Sequence, residues 1–394
     1  MIWKIQKLGD IAEFSQGLQV PIENQLEKNH SNLVRFIRII DYTNQNEPPR
    51  FITKPSDKYF VENEDIVMIR YGSQTAGKVV RGLSGVIANN AFKISILNKE
   101  IDKDYLYRFL SQQRIYDELN SGQGSSTMPA VSFGIVKNVS IEFPHFQTQK
   151  YITSILSSYD DLIENNLKRI KILEETAQNI YKEWFVNFRI PNYENIPLNQ
   201  EMGLPEGWKR KNFEEIANFS QGLQVSTELQ FEEKRDDRTR FIRIIDVTQG
   251  NQPYRYIETP DSKYIIEKGD IFMVRYGTPQ VVIGYEGVIA NNFFKISIND
   301  KTELLNNFLF MFLKQDNITQ TLMALSSSAT MPAISFKRIA NIQILVPSIE
   351  LQKKFSNQHS IFLDCKHSLE YQNRKLKEAR DILLPRLMNR TIRV

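Results

Sequence analysis

An internal duplication with a long period constrains this chain more than any other feature. Phe14 to Val20 recurs letter for letter as Phe219 to Val225. Other strings recur in the same order: Arg35 to Asp41 as Arg240 to Asp246, Arg70 to Gly72 as Arg275 to Gly277, Gly85 to Asn90 as Gly287 to Asn292, and Thr127 to Ala130 as Thr330 to Ala333. A period of about 200 residues is far longer than a solenoid repeat. Each copy must therefore be a domain with an attached segment.

Composition is that of an ordinary folded protein. The 394 residues are 41% hydrophobic and 24% charged, which indicates two or three domains with real cores. The chain carries no apolar run near the ~20 residues of a membrane span and no signal-peptide core, so we expect a cytoplasmic protein without membrane contact. The single cysteine, Cys365, excludes an internal disulfide. A net charge of +4 permits nucleic-acid binding without requiring it.

Each copy reads as an α+β module with an irregular sheet. Arg35 to Ile40 and Ile66 to Tyr71 are rich in β-branched and aromatic residues and predict strands. Asp104 to Leu119 and Leu304 to Lys314 predict helices near the end of each copy.

A heptad pattern follows each module. Its positions are Leu156, Ile163, Ile170, Ala177 and Trp184 after the first module and Phe355, Phe362, Leu369, Leu376 and Leu383 after the second. Asn166 interrupts the first series, and Cys365 falls between positions of the second. The pattern predicts two long helices that pair as an antiparallel coiled coil. The alternative is that each helix packs on its own module.

These patterns predict a division of the chain into four segments. The segments are residues 1–150, a first module; 151–190, a helix; 191–352, a second module opening with a linker at 191–203; and 353–394, a final helix. Pro191 and Pro197 end the first helix.

The whole chain resembles the specificity subunit of Type I restriction–modification systems. The strings that carry the resemblance are Leu204 to Trp208, Gly124 to Pro129, Phe143 to Lys150, Ile180 to Phe188 and Leu383 to Met388. The resemblance implies two target-recognition domains separated by two long helices in a pseudo-twofold arrangement. It also implies a chain that binds double-stranded DNA and catalyses nothing itself.

The resemblance further implies partners. Two methyltransferase subunits would bring S-adenosylmethionine, and restriction subunits would bring ATP-driven translocation with ATP and Mg, so this chain would bind no cofactor. Family members commonly pair unrelated recognition domains, whereas here the two are close copies. Two similar modules related by a twofold axis should read a bipartite, nearly palindromic site.

The repeated strings supply residues suited to reading DNA. Arginine can bind phosphate or guanine, and amide side chains can read adenine. The candidates in the first module are Gln16, Gln19, Arg35, Arg38, Arg70, Tyr71, Asn89, Asn90, Ser126 and Thr127. Those in the second are Gln221, Gln224, Arg240, Arg243, Arg275, Tyr276, Asn291, Asn292, Ser328 and Thr330.

Each candidate also has a structural interpretation. Arg35 and Arg38 lie three apart in a predicted strand and would face opposite sides, so one of them could sit in a salt bridge. Asn89 and Asn90 could form a turn that satisfies the local backbone. Identity between the copies does not separate fold from function.

The copies diverge in one loop. Ser73 to Ser84 carries Lys78 and Arg81, two further candidates for DNA contact. Its counterpart, Thr278 to Glu286, is shorter and has no Lys or Arg. The two half-sites could be distinguished here, or the loop could be an idle surface.

Sequence motifs for catalysis are absent. The string Asn46 to Phe51 has Glu before its two prolines and Arg after them, which rules out a methyltransferase motif. The chain lacks a Gly-Lys-Ser/Thr phosphate loop. His359, Cys365 and His367 do not gather on one helix face as zinc requires, so we interpret them as surface or seam residues. The alternatives to a DNA specificity subunit are a protein-binding scaffold and a specificity component that works with a fused nuclease–methyltransferase.

Overall fold

A computed structural model describes residues 3–44, 47–121, 130–191, 198–199, 204–248, 253–277, 279–299, 301–326, 334 and 336–392. Its contacts divide the chain into two compact units. The first unit is Met1–Leu162 with Leu376–Val394, and the second is Ile163–Lys375. Each unit contains one copy of the repeated module together with parts of the two longest helices. None of the described helices is long and apolar enough to cross a membrane.

The first module is built from short strands and helices. Its strands are β1 (Lys4–Lys7), β2 (Ala12–Gln16), β3 (Leu33–Ile37), β4 (Arg50–Thr53), β5 (Phe60–Val61), β6 (Ile66–Ile69), β7 (Val79–Val80), β8 (Gly85–Ile87), β9 (Ala91–Ile96) and β10 (Ser140–Phe143). Its helices are α1 (Leu8–Ile11), α2 (Ile39–Thr43), α3 (Lys103–Leu110), α4 (Gln113–Asn120) and α5 (Phe133–Lys137), with 3-10 turns at Ile22–Asn24 and Asp57–Tyr59.

Two four-stranded sheets make up most of this module. One has the order β2-β9-β6-β7 and is antiparallel, whereas the other has the order β4-β3-β8-β5 and contains one parallel pair, β3 with β8. All four residues of β6 are buried, as expected of an inner strand whose sequence is a continuous apolar run. Strand β1 pairs with β10 and so brings the beginning and the end of the module together.

The second module repeats this architecture. Its strands are β11 (Leu198–Asn199), β12 (Leu204–Pro205), β13 (Lys209–Asn212), β14 (Ala217–Gln221), β15 (Arg238–Ile242), β16 (Arg255–Glu258), β17 (Ile265–Ile266), β18 (Ile271–Val274), β19 (Val281–Val282), β20 (Gly287–Ile289), β21 (Phe293–Ile298) and β22 (Gln343–Val346). Its sheets have the orders β14-β21-β18-β19 and β16-β15-β20-β17, which match those of the first module. The predicted duplication of an α+β module is confirmed.

The second module also carries its own helices. They are α7 (Phe213–Ile216), α8 (Ile244–Thr248), α9 (Asn306–Leu313), α10 (Asp316–Ser326) and α11 (Phe336–Ile339), with 3-10 turns at Thr227–Leu229 and Ser262–Tyr264. The two long helices are α6 (Phe146–Phe185) and α12 (Ile349–Met388).

The predicted strand from Arg35 to Ile40 is wrong at its end. Strand β3 stops at Ile37 because the Asp41 carboxylate accepts a hydrogen bond from the Arg38 backbone N–H at 2.7 Å. This contact starts helix α2, and a carboxylate is a common acceptor at such a position.

Two other predicted elements differ at their ends. The helix predicted from Asp104 to Leu119 is two helices, α3 and α4, because Gln112 is extended between them. The strand predicted from Ile66 to Tyr71 ends at Ile69.

The core of the first unit uses the beginning of one long helix and the end of the other. Ile152 and Leu156 from α6 lie in a buried cluster with Phe109. Leu387 and Met388 from α12 belong to the same cluster.

The second unit is assembled in the same way with the helices exchanged. Phe355 from α12 and Trp184 and Phe185 from α6 share a buried cluster with Phe308. The Phe185 and Phe308 rings meet edge to face at 4.8 Å, a favourable aromatic geometry.

A fully buried glutamine fixes the beginning of each long helix. The Gln149 side chain accepts a hydrogen bond from the Asp102 N–H at 2.8 Å and donates to the Glu100 and Pro144 carbonyls. Gln352 makes the equivalent three contacts in the second unit. Because every polar atom of each amide is paired, these glutamines can be buried at little cost.

The predicted antiparallel pairing of the long helices is confirmed. In the second unit Asn166 of α6 donates to Asn373 of α12 at 2.9 Å, and Glu174 pairs with Lys366. Later positions on one helix therefore meet earlier positions on the other. In the first unit Asp160 of α6 likewise pairs with a late residue of α12, Arg380.

Two of the residues interpreted as surface or seam residues fall one into each class. Cys365 is exposed, whereas His359 of the same helix is buried against Phe355 and Phe310. Burial lowers the pKa of His359 to about 4, so its imidazole is neutral at pH 7 and suits an apolar seam.

We expect Asn166→Leu to lower the midpoint of thermal unfolding, because it leaves the buried side-chain oxygen of Asn373 without its hydrogen-bond donor. Such an orphaned group costs about 1–3 kcal/mol. Replacing both residues, Asn166→Leu with Asn373→Leu, should restore most of the loss, since neither buried amide then remains. Helical circular dichroism during heating measures both effects. The exposed neighbour provides the control, Asn165→Leu, and an additive double variant would contradict the pairing.

Candidate nucleic-acid interface

Three amide side chains meet on the surface of each module. In the first module, Gln16 at the end of β2 donates to the Asn89 backbone carbonyl at 3.3 Å, and the Asn89 side chain donates to Gln19 at 3.3 Å. We call Gln16, Gln19 and Asn89 the amide cluster. Both glutamines are exposed, and each amide keeps unused donors and acceptors toward solvent.

The second module carries the same cluster with the same geometry. Gln221 donates to the Asn291 carbonyl at 3.3 Å, and the Asn291 side chain donates to Gln224 at 3.3 Å. Both copies of the module therefore present the same pattern of exposed amides.

A glycine in each module makes this arrangement possible. The Gly17 N–H donates to the Ala91 carbonyl at 3.1 Å, and the next residue, Leu18, donates to Ile87 at 2.8 Å. A β-carbon at Gly17 would come within 2.5 Å of the Ile87 carbonyl oxygen and still closer to that of Ala88. Only glycine lets the chain cross the turn this closely.

Arg70 lies next to the amide cluster, because its backbone is hydrogen-bonded to Asn90, the residue after Asn89. The Arg70 backbone N–H donates to the Asn90 carbonyl at 2.8 Å, and its guanidinium lies 5.0 Å from the Tyr71 ring centre and 5.8 Å from that of Phe133. Aromatic faces hold a guanidinium without neutralising its charge.

The second module also places its arginine beside aromatic rings. The Arg275 N–H donates to the Asn292 carbonyl at 2.8 Å, and its guanidinium lies 4.9 Å from the Tyr276 ring and 5.0 Å from the Phe294 ring. Each module therefore brings amides and a cation together beside one turn.

Arg35 and Arg38 do not face opposite sides as predicted. Because β3 ends at Ile37, both guanidinium groups reach the buried Asp41 carboxylate, at 3.6 Å and 3.0 Å. Arg38 also pairs with Glu47 at 3.1 Å. In the second module Arg243 binds the corresponding carboxylate, Asp246, and the Pro253 carbonyl.

The candidates in the divergent loop lie against the helices of the first module. The Lys78 side chain is exposed, with its ammonium 5.7 Å from the Tyr116 ring. Arg81 pairs with Asp104 and lies 4.2 Å from the Tyr107 ring. The remaining sequence candidates, Ser126, Thr127, Ser328 and Thr330, lie outside the described residues.

Tyr254 is a residue that the sequence reasoning missed. The centre of its ring lies 3.7 Å from the Arg240 guanidinium, so it contacts one of the candidate arginines directly. A difference between the copies could have pointed to it, since the equivalent residue of the first module is Pro49.

Metal chemistry has no support in the described part of the chain. Within those residues no group of three or more His, Cys, Asp or Glu could hold an ion.

The duplication of the module is also found when the chain is compared with known protein families. The model of the Type I restriction modification DNA specificity domain matches this chain twice, over residues 2–175 and 205–377. The chain therefore belongs to the family of Type I restriction–modification specificity subunits, with one family domain in each half.

Particular relatives support the same assignment. The chain is 24% identical over 333 residues to the Type I restriction enzyme MjaIX specificity subunit of Methanocaldococcus jannaschii, covering 81% of this chain and 76% of that protein. It is 24% identical over 463 aligned positions to the HindI specificity subunit of Haemophilus influenzae, covering 98% and 99%. The crystal structure of an S subunit from M. genitalium shares the fold, with a TM-score of 0.56, 17% identity and coverage of 98% and 96%.

We expect Gly222→Ala to lower the thermal midpoint and to displace Gln221 and Gln224, because the added methyl would collide with the carbonyl oxygens of Ile289 and Ala290. Overpacking of this kind typically costs about 1–3 kcal/mol. Gly269→Ala is the matched control, since a β-carbon added there would meet nothing within 4 Å. Equal thermal midpoints for the two variants would contradict the close approach.

Proposed function

We propose that this chain is the DNA-reading subunit of a Type I restriction–modification complex, with one half of a bipartite site read by each module. The observation that carries the proposal is the repeated surface, in which the amide cluster adjoins an aromatic-held arginine in both modules. Amides and guanidinium groups are the side chains that recognise base edges by paired hydrogen bonds.

The amides and the arginine of this surface are suited to different contacts with DNA. Gln16, Gln19 and Asn89 are linked by hydrogen bonds at the long end of the normal range, so their outer donors and acceptors are pre-oriented yet free to exchange partners. We assign base reading to these amides. Arg70, which is held over rings rather than by a carboxylate, would take guanine or a phosphate.

Two of the predicted arginines serve the fold in this proposal. Arg38 and Arg243 each bind a buried carboxylate and a backbone carbonyl, at Pro48 and Pro253. Removing Arg243 would leave Asp246 as an uncompensated buried charge, and removing Arg38 would leave Asp41 with only the looser Arg35 contact at 3.6 Å. Their repetition in both copies is then explained by the shared fold.

The target should consist of two related halves. Both modules carry the same amides in the same geometry, so we expect similar bases in each half. Because the two long helices are antiparallel, we propose that the halves are inverted relative to one another.

The long helices offer surfaces for partner subunits. Leu162, Leu167 and Ile172 on α6 and Ile361 and Ile382 on α12 are each more than half exposed. Exposed apolar area of this kind can be covered by a protein partner. We propose that methyltransferase subunits dock here and bring S-adenosylmethionine, that restriction subunits bring ATP and Mg, and that the chain itself is a cytoplasmic, non-catalytic component.

Mapping modified bases in the host genome tests the proposal. Deleting the gene, in a host that also expresses the partner methyltransferase, should abolish methylation of one bipartite motif with two related, inverted halves. An unchanged methylome would refute the proposed function. Two unrelated halves would refute the symmetry argument alone.

We expect Asn89→Ala to relax specificity in one half of that motif, because it removes one amide and releases Gln19. Each good bidentate contact contributes about 1–3 kcal/mol of discrimination. The spectrum of methylated sites measures the change, and Asn291→Ala should relax the other half. The control is an exposed glutamine on α6, Gln147→Ala, which should leave the spectrum unaltered. Relaxation of both halves by either variant would count against separate reading by the two modules.

A further inference from the structure

Two equivalent arginines have different surroundings in the two modules. Arg35 and Arg240 occupy the same position in β3 and β15, opposite Phe51 and Tyr256 in the sheet register. Both sequences around them read Arg-Phe-Ile-Arg-Ile-Ile-Asp. Identical local sequence should place them identically, so any difference between them must come from elsewhere in the fold.

In the first module the arginine shares a carboxylate. The Arg35 guanidinium lies 3.6 Å from Asp41, which also binds Arg38. Glu47 approaches Arg38 at 3.1 Å and adds a second negative charge. Two arginines and two carboxylates therefore meet, and the cluster has no net charge.

In the second module the arginine is stacked instead. Arg243 binds both oxygens of Asp246, at 2.8 Å and 3.0 Å. The Arg240 guanidinium lies close to two rings, 3.7 Å from the centre of Tyr254 and 5.3 Å from that of Tyr285. Within the described part of the chain, no carboxylate lies at ion-pair distance from Arg240.

Three substitutions between the copies accompany the difference, and one of them, Gln252 for Glu47, removes a negative charge. Tyr254 replaces Pro49, and Tyr285 replaces Leu83, at positions matched by the repeat. The first module thus has no ring at these positions to draw its arginine away from the carboxylate. Stacking of a guanidinium on tyrosine is comparable in strength to a loose, partly exposed ion pair and can compete with it.

The C-terminal helix holds this stack in place. Arg374 of α12 donates a hydrogen bond to the Tyr254 hydroxyl, and its guanidinium lies 4.8 Å from the Tyr254 ring. Burial and the nearby Glu370 carboxylate raise the pKa of Tyr285 to about 12, so this ring stays neutral and supplies no counter-charge to Arg240. Arg240 remains a partly exposed cation supported by two aromatic rings.

We propose that Arg240 binds a DNA phosphate, that Arg35 is compensated within the fold, and that the two near-identical modules therefore contribute unequally to electrostatic affinity. Tyr254 and Arg374 are positioning residues that keep Arg240 away from Asp246. This inference rests on the proposed DNA-binding function.

The salt dependence of duplex binding tests the inequality with the full-length chain. Each phosphate contact contributes about 0.9 to the slope of log affinity against log salt. Arg240→Gln should lower the slope by about 0.9 on a duplex carrying the mapped motif, and Arg35→Gln should lower it clearly less. Equal effects, or an unchanged slope in Arg240→Gln, would overturn the inference while leaving the DNA-binding function intact. A wild-type chain without salt-dependent affinity for the duplex would refute both.

Variants of the ring separate positioning from folding. Tyr254→Leu should lower the slope as Arg240→Gln does, because Arg240 can then turn to Asp246. Tyr254→Phe removes the hydroxyl that accepts from Arg374 but keeps the ring beside both guanidinium groups, so it should retain most of the wild-type slope. The matched position of the first module supplies the control, Pro49→Ala, which should leave the slope unchanged. Loss of slope in Tyr254→Phe as well as in Tyr254→Leu would refute the role of stacking.

The stack can also be observed without DNA. In nitrogen-15 arginine spectra the side-chain Nε–H of Arg240 should show an upfield ring-current shift that Arg35 lacks. Tyr254→Leu should remove that shift. An unshifted Arg240 resonance in the wild-type chain would overturn the proposal independently of any binding measurement.

Discussion

The close crossing of backbone over backbone at Gly17 and Gly222 is the constraint on which each module depends. At this point the chain leaves β2, whose neighbour is β9, and bonds to the turn after β8, which belongs to the other sheet. The crossing therefore joins the two sheets of the module. It also delivers the flanking glutamines to the turn that carries Asn89, so the same hydrogen bonds that unite the fold assemble its recognition surface.

Much of the architecture was predictable because it depends on patterns that extend over many residues of the sequence. The repeated strings indicated the duplication, and the heptad spacing indicated two antiparallel helices. The predictions that were wrong concern where individual strands and helices end. The run from Arg35 to Ile40 looks like one strand, but a single carboxylate at Asp41 ends it by capturing the Arg38 N–H. Strand propensity reflects the apolar and β-branched residues of this run and takes no account of one side-chain hydrogen bond.

In the candidate DNA-binding surface, too, the repeated residues were predictable but their individual contacts were not. Repetition pointed to the amides and arginines, but it could not say which arginines were already committed to carboxylates. Arg38 and Arg70 look alike in sequence, yet one binds Asp41 and the other lies over rings. Nor could repetition reveal Tyr254, since a residue that differs between the copies is invisible to a search for identity. The differences between duplicated modules carry as much information as their agreement.

The assembly of each core has a consequence for synthesis. The first unit is completed by Leu387 and Met388, and its Asp160 bonds to a residue 220 positions later. Contacts this distant in sequence form late, since the intervening chain must first be made. A nascent first module therefore emerges from the ribosome with the apolar seam of α6 uncovered, and stays so while the second module is translated. Such exposed surface invites aggregation or chaperone binding. Production of the protein should thus be sensitive to premature termination even a few residues before Met388, because a shortened chain would lack two buried residues of the first unit's core.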